Sequence, residues 1–178
     1  MSRYARFTRP GRAVTGDRGK TAAQTRARVG YDQAHAIVGD HSRPAYVGLH
    51  PDERAATVTG FLQRPLALYE QHGIRAKRLM TDNAFAYTKN RSLRELLTSR
   101  GIRHLTTQPY RPRTNGKLER FHQTMAPERA HGLSYRSHHH RNHALPHWLH
   151  HYNHRRPHSS TENRPPINRA HNVRRQDN

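Results

Sequence analysis

Apolar residues gather into short runs from Tyr31 onward, and their spacing predicts alternating strands and helices. Residues 34–38 and 45–49 read as two short strands around the polar turn Gly39-Asp40-His41-Ser42-Arg43-Pro44, which predicts a hairpin. Asp52 and Glu53 then open a helix, where acids suit the N-terminus. Its apolar positions Ala55, Val58, Phe61, Leu62, Leu66 and Tyr69 keep a helical period, and Gly73 is a natural stop. Pro65 lies inside and predicts a kink, because it has no N–H to donate.

Residues 78–80 read as a third, buried strand that ends at Asp82. Ser92-Leu93-Arg94-Glu95 has the form of a capping box, so a helix is expected to run to about Arg100 and stop at Gly101. Residues 102–106 form the fourth strand candidate, followed by a Pro-rich loop. Asn115 is a good N-cap for a helix whose apolar stripe is Leu118, Phe121 and Met125. A last helix over residues 146–153 carries Trp148, Leu149 and Tyr152, and the polar tail from Arg155 reads as extended. This order of elements predicts a mixed α/β layer fold.

Composition changes the picture in one respect. The chain carries 32 Lys and Arg against 12 Asp and Glu, a formal charge of +20, so a polyanion is the expected partner and DNA the leading one. Apolar content is only 32%, so part of the chain is not expected to pack. Residues 1–30 hold eight basic residues, one acid (Asp17) and no sustained period, and read as largely unstructured. The expected division is a basic segment 1–30, a core 31–128, and a basic His-rich helix and tail 129–178. There is no cysteine, so disulfides and thiolate zinc sites are excluded. No run reaches membrane-spanning length, and cytoplasmic residence without a membrane partner is the default expectation.

Two acids stand in distinctive frames. Asp82 lies in Leu79-Met80-Thr81-Asp82-Asn83, at the end of an apolar run. Glu119 lies in Asn115-Gly116-Lys117-Leu118-Glu119-Arg120-Phe121, in the first turn of a helix. Two carboxylates at such places can converge on divalent ions, and hard oxygen ligands suit Mg²⁺. Plainer readings stand beside this one. An Asp-Asn pair after a strand is commonly a turn, an acid near a helix start serves the dipole, and Lys117 is ordinarily a solvated charge.

Residues 31–166 resemble the integrase core of bacterial insertion-sequence transposases, relatives of retroviral integrases. Four stretches carry the resemblance: Val38-Gly39-Asp40-His41-Ser42-Arg43-Pro44-Ala45-Tyr46; Met80-Thr81-Asp82-Asn83-Ala84-Phe85-Ala86-Tyr87; residues 109–121, Pro-Tyr-Arg-Pro-Arg-Thr through Asn115-Gly116-Lys117-Leu118-Glu119-Arg120-Phe121; and Trp148-Leu149-His150-His151-Tyr152-Asn153-His154-Arg155-Arg156-Pro157-His158. The resemblance implies an RNase H-like fold, a central mixed sheet flanked by helices. It implies a triad of two Asp and one Glu holding two Mg²⁺ or Mn²⁺ ions, with Asp82 as the second Asp and Glu119 as the Glu. One metal would activate a water or a DNA 3′-hydroxyl and the other would stabilise the leaving oxygen. Lys117, Arg120, Arg155 and Arg156 are the candidate DNA contacts.

The chain departs from that family at the first Asp, whose strand should fall within residues 1–25 or before Met1. Residues 3–14 hold no acid, and Asp17 lies between glycines in a loop-like stretch. Asp32 and Asp40 sit at strand ends, and Gly39-Asp40 stands where the family tends to show Asp-Asp. The expectation is therefore a transposase core with a degenerate or missing first strand, inactive on its own. A second copy or an intact transposase is the expected protein partner. Two alternatives stay open: a DNA-binding protein that interferes with an intact transposase, and an RNase H-type nuclease. Eleven of the 17 histidines lie between His131 and His171, and those at 147, 150, 151 and 154 have helical spacing. A solvated basic helix is expected there rather than a zinc site.

Overall fold

The computed structural model describes residues 2–7, 12–16, 30–107, 116–131 and 134–172. Strand β1 (Ser2–Ala5) and a single helical turn α1 (Arg12–Thr15) precede the hairpin strands β2 (Tyr31–Val38) and β3 (Ala45–His50). Helix α2 (Ala55–Gln71), strand β4 (Arg78–Thr81), the short α3 (Phe85–Thr88), α4 (Arg91–Ser99) and strand β5 (Arg103–Thr106) follow. Helix α5 (Gly116–Met125) runs on into a π-helical turn, Ala126–His131. Helices α6 (His138–His143), α7 (Leu145–His154) and α8 (Pro166–Asn172) close the chain, with a 3₁₀ turn at Ser159–Thr161.

Among the described residues the strands form two ladders. β1-β2-β3 is antiparallel, with Tyr4 opposite Asp32 and Ala36 opposite Val47. β4 and β5 pair in parallel, with Met80 opposite Leu105. The expected single mixed sheet is thus divided between β1 and β4. The four residues of β1 pair on one edge only.

The hairpin's period-2 pattern decides what each face buries. Ala34, Ala36 and Val38, with Ala45, Val47 and Leu49, pack with Tyr4 against Phe121 and Met125 of α5 and Leu145, Leu149 and Tyr152 of α7. The opposite face presents His35, Tyr46 and His50 to Phe61 of α2. A second core joins Val58, Leu62 and Leu66 of α2 to Leu93 and Leu97 of α4 and to Ile102. Helices therefore cover both faces, as a three-layer α/β arrangement requires. Asn153 of α7 ties the layers by bracketing Ala45: its Oδ1 accepts from the Ala45 N–H and its Nδ2 donates to the Ala45 carbonyl, both at 2.8 Å.

Several local expectations change. Residues 2–7 join the fold, because β1 finds a ladder with β2. The N-cap of α4 is Asn90 rather than Ser92: Asn90 Oδ1 accepts the Leu93 N–H at 3.0 Å, and its amide donates to Ala55 and Ala86 carbonyls. Asn90 is buried and fully engaged, whereas Glu95 is drawn off to Arg91 at 2.7 Å. Helix α2 holds Pro65 inside it, as read from the sequence, and buries its ring in the core. It stops as expected at Gly73, which takes φ 68° while the Ile74 N–H bonds back to Tyr69. The tail from Arg155 is not extended. Thr161, at 1% exposure, anchors a turn closed by a His158–Arg164 bridge, and α8 follows. Asn115 and Asp17 lie outside the described residues.

Candidate functional site

Asp82 follows β4 directly and is half-buried. Its Oδ1 accepts the Ala84 N–H at 3.1 Å, a tight side-chain turn that holds the carboxylate at the strand end. Thr81, buried just before it, contacts His104 Nε2 on β5 at 2.8 Å and donates to the Asp82 carbonyl at 3.0 Å. Burial, and to a lesser degree the Arg94 charge, lowers the pKa of His104. Asn83 reaches across to the Thr107 carbonyl at 2.9 Å. Beside them Tyr87 is pushed up to about 12, first by burial and then by the negative charges of Asp82 and Glu53. The turn reading of Asp82 is therefore correct as geometry, and it leaves Oδ2 of a fixed carboxylate at the end of a parallel strand.

Glu119 stands in the first turn of α5 and is exposed, as is Arg120. Phe121 and Met125 on the same helix are at 1% and 0% exposure, and Leu118 packs partly with them. The apolar stripe read from the sequence is thus the face that fixes the direction of Glu119.

The candidate DNA contacts fall into two groups. Arg120 and Arg155 are exposed. Lys117 is instead bound to the β2–β3 turn, donating from Nζ to the Asp40 carboxylate and, at 3.1 Å, to the Asp40 carbonyl. This contact, first, and the charges around it hold the Asp40 carboxyl below its usual range. Arg156 forks onto Glu128, with Nη2 at 2.7 Å and Nε at 3.0 Å from Oε1. Trp148 Nε1 donates to the other Glu128 oxygen at 3.3 Å. Neither Lys117 nor Arg156 is an uncommitted cation in this arrangement.

The first acid is not supplied by β1. β1 carries no acid, and of its residues Tyr4 packs toward Phe121 and Met125 of α5. Asp32 lies opposite Tyr4, but both its oxygens are committed. Oδ1 accepts from Arg6 Nε at 2.8 Å, and Oδ2 accepts from Asn142 Nδ2 at 2.9 Å and Arg141 Nη2 at 3.3 Å. Burial alone would raise the Asp32 pKa, but the donors from Asn142 and Arg6 and the Arg6 and Arg141 charges more than offset it, so the net shift is downward. Asp40 is bound to Lys117. An acid at position 39 has no room, because a Cβ on Gly39 would lie 2.7 Å from the Pro44 ring. Among the described residues no group of three or more His, Asp or Glu is placed to hold a metal ion. The residues present thus fit a two-metal site only in part.

The sequence reading missed two features. Phe85, three residues after Asp82, is 73% exposed, with Lys89 Nζ 4.6 Å from its ring centroid. Arg129, at 1% exposure, is buried with Arg141. Its position four residues after Met125 on the apolar stripe was a usable signal. In the His-rich helix, His150 and His154 stack at 4.5 Å and His154 meets His72 at 5.7 Å, without forming a metal cluster among the described residues. No helix among the described residues is long and apolar enough to cross a membrane.

Residues 100–166 match the integrase core domain family. A chain of the simian T-cell lymphotropic virus intasome, solved in complex with the PP2A regulatory subunit B56 gamma, superposes with a TM-score of 0.63 at 21% identity. That match covers 79% of this chain and 49% of the intasome chain, so the present chain spans about half the length of that relative. The HTLV-2 integrase catalytic core domain, solved with magnesium in a trimeric form, gives a TM-score of 0.56 at 18% identity over 79% of this chain and 86% of that one. The catalytic core domain of BIV integrase gives 0.57 at 18% identity over 82% and 95%. At these identities the likeness is one of fold, the RNase H-like fold of integrase catalytic cores.

Proposed function

We propose that the chain, whose residues 100–166 match the integrase core domain family, is the catalytic-core part of an insertion-sequence type of transposase. In this reading it engages DNA by charge and does not carry out strand transfer on its own. Asp82 and Glu119 are the proposed metal ligands, for Mg²⁺ or Mn²⁺. The observation that carries the reading is the fate of Asp32, the acid opposite Tyr4 of β1: both its oxygens are held by Arg6, Arg141 and Asn142, while Asp40, in the β2–β3 turn, pairs with Lys117 in solvent. Two carboxylates hold two divalent ions poorly, and this chemistry depends on positioned metal charge. Arg120 and Arg155, exposed in the structure, are the proposed first contacts of a phosphate backbone. Lys117 and Arg156 reach phosphate in this reading only by leaving Asp40 and Glu128.

The rival without catalysis gains support from the same committed acids. In it the chain competes for DNA, or for an intact transposase, without cleaving. The RNase H-type alternative has no observation of its own in its favour.

The DNA reading is tested by titrating a labelled duplex at several salt concentrations. The +20 charge predicts binding with little sequence preference and an affinity that falls steeply with salt. Asp82→Asn and Glu119→Gln should bind at least as well, since each removes a charge that repels phosphate. A chain lacking residues 1–30 loses eight basic groups and should show a flatter salt slope. That chain also loses β1, so its melting temperature is read alongside. No binding at low salt, or binding independent of salt, would remove DNA from the account.

A further inference from the structure

At the junction of β1, the π-helical turn and α6, the protein buries more positive charge than it neutralises. Arg129 projects from the π-helical turn Ala126–His131. Turns of this kind are frequent at functional sites, because they re-aim one side chain out of helical register. Arg129 is 1% exposed. Its Nη2 donates to the Arg141 carbonyl at 2.6 Å, while Nε and Nη1 are buried without a hydrogen-bond partner. Arg141, 4% exposed, donates to the Ala5 carbonyl and to Asp32, and lies 5.5 Å from the ring centroids of both Tyr4 and Phe7. Tyr135 donates to the Arg129 carbonyl at 2.7 Å and fixes the turn. Arg6, Arg129 and Arg141 face one acid, Asp32, so three positive charges less one negative leave an excess of two. Guanidinium does not deprotonate in proteins, so this excess persists at every working pH. A buried, partly unpaired guanidinium is costly unless an anion meets it.

We propose that Arg129 and Arg141 form a buried receptor for one small tetrahedral oxyanion of the phosphate class. Arg129 supplies the two open donors, and Arg141 supplies charge and holds the receptor to β1 and Asp32. A free phosphate and a phosphate of a nucleic-acid strand share this chemistry. The burial of Arg129 favours the free ion, which enters by local opening of the junction.

The test is thermal melting of the full chain in sodium phosphate against sodium chloride at equal ionic strength. Wild type, Arg129→Met and Arg129→Lys are compared. Attraction of phosphate to the basic surface acts on all three alike. The wild type should rise with phosphate as a single-site linkage requires, gaining an equal increment for each tenfold increase beyond the midpoint. Arg129→Met should lose that rise, and Arg129→Lys, which keeps the charge without the planar set of donors, should shift its midpoint to at least tenfold higher phosphate. If the Met chain does not fold, phosphorus NMR of the wild type decides, since the receptor requires saturation at one phosphate per chain. Equal phosphate responses in wild type and Arg129→Met, or no saturable phosphate, would overturn the proposal. Duplex affinity at matched salt separates the sources. An unchanged affinity in Arg129→Met supports the free ion, and a tenfold loss would overturn the free-ion assignment in favour of a strand phosphate.

Discussion

Phe121 and Lys117 stand one turn apart on α5, and the packing predicts opposite costs for removing them. Phe121 is at 1% exposure and meets Tyr152 edge-on at 5.1 Å, so Phe121→Ala should cost about 3–5 kcal/mol. Lys117 pairs with Asp40 in solvent, where such pairs are worth about 0.2–1 kcal/mol. Melting curves of the two alanine variants check this, and equal losses would show that the helix is set in the wrong phase. Asp32 is a different kind of charge. Removing its carboxylate leaves Arg141 buried and unpaired, so Asp32→Asn should cost about 3–5 kcal/mol. The same pair sets a pH dependence. The folded Asp32 pKa is lowered, so its stabilisation is present above the unfolded value and is lost as pH falls through the folded one. Urea unfolding should therefore weaken below about pH 4 in the wild type and show a smaller acid loss in Asp32→Asn. An equal acid loss in both chains would place the sensitivity elsewhere.

At the scale of elements, the start of α4 offers a clean discrimination. Asn90 accepts from the Leu93 N–H and fills three further hydrogen bonds in a buried place, while Ser92 is exposed on the helix. Asn90→Ala should destabilise by about 1–2 kcal/mol and Ser92→Ala by less than about 0.5 kcal/mol, read by chemical denaturation. The reverse order would restore the capping box. This case also shows how far a sequence reaches. Strand and helix positions from Tyr31 to Met125 were legible because their apolar periods are local: Ala34 to Val38, Val58 to Tyr69, and Leu118 with Phe121 and Met125. Asn90 was not legible as the cap, because its advantage comes from the Ala55 carbonyl, 35 residues away. Strand β1 was hidden among arginines, since only Tyr4 faces the core and its ladder partner lies beyond residue 30. Thr161 and the turn around it read as a polar tail because a single buried hydroxyl leaves no period.

For the whole molecule, the histidines bear on how charge changes with acidity. His50, His104, His122 and His158 have pKa values lowered chiefly by burial, His122 to about 4. His122 is therefore neutral near pH 6 and adds no positive charge there. The positions of Asp82 just after a strand and of Glu119 in the first turn of a helix were legible in their frames. The commitments of Asp32, Asp40, Lys117 and Arg156 were not, because each depends on a partner 26 or more residues away.

The central claim is the proposed integrase-type core whose acid opposite β1, Asp32, is committed to Arg6, Asn142 and Arg141. It is tested most directly by incubating the purified chain with DNA carrying its element's ends in Mg²⁺ and in Mn²⁺. Nicked and joined products are then resolved on a denaturing gel. The account predicts neither product, in wild type or in Asp82→Asn. Strand transfer by the wild type that disappears in Asp82→Asn would contradict it, and would mean that a third acid reaches the site.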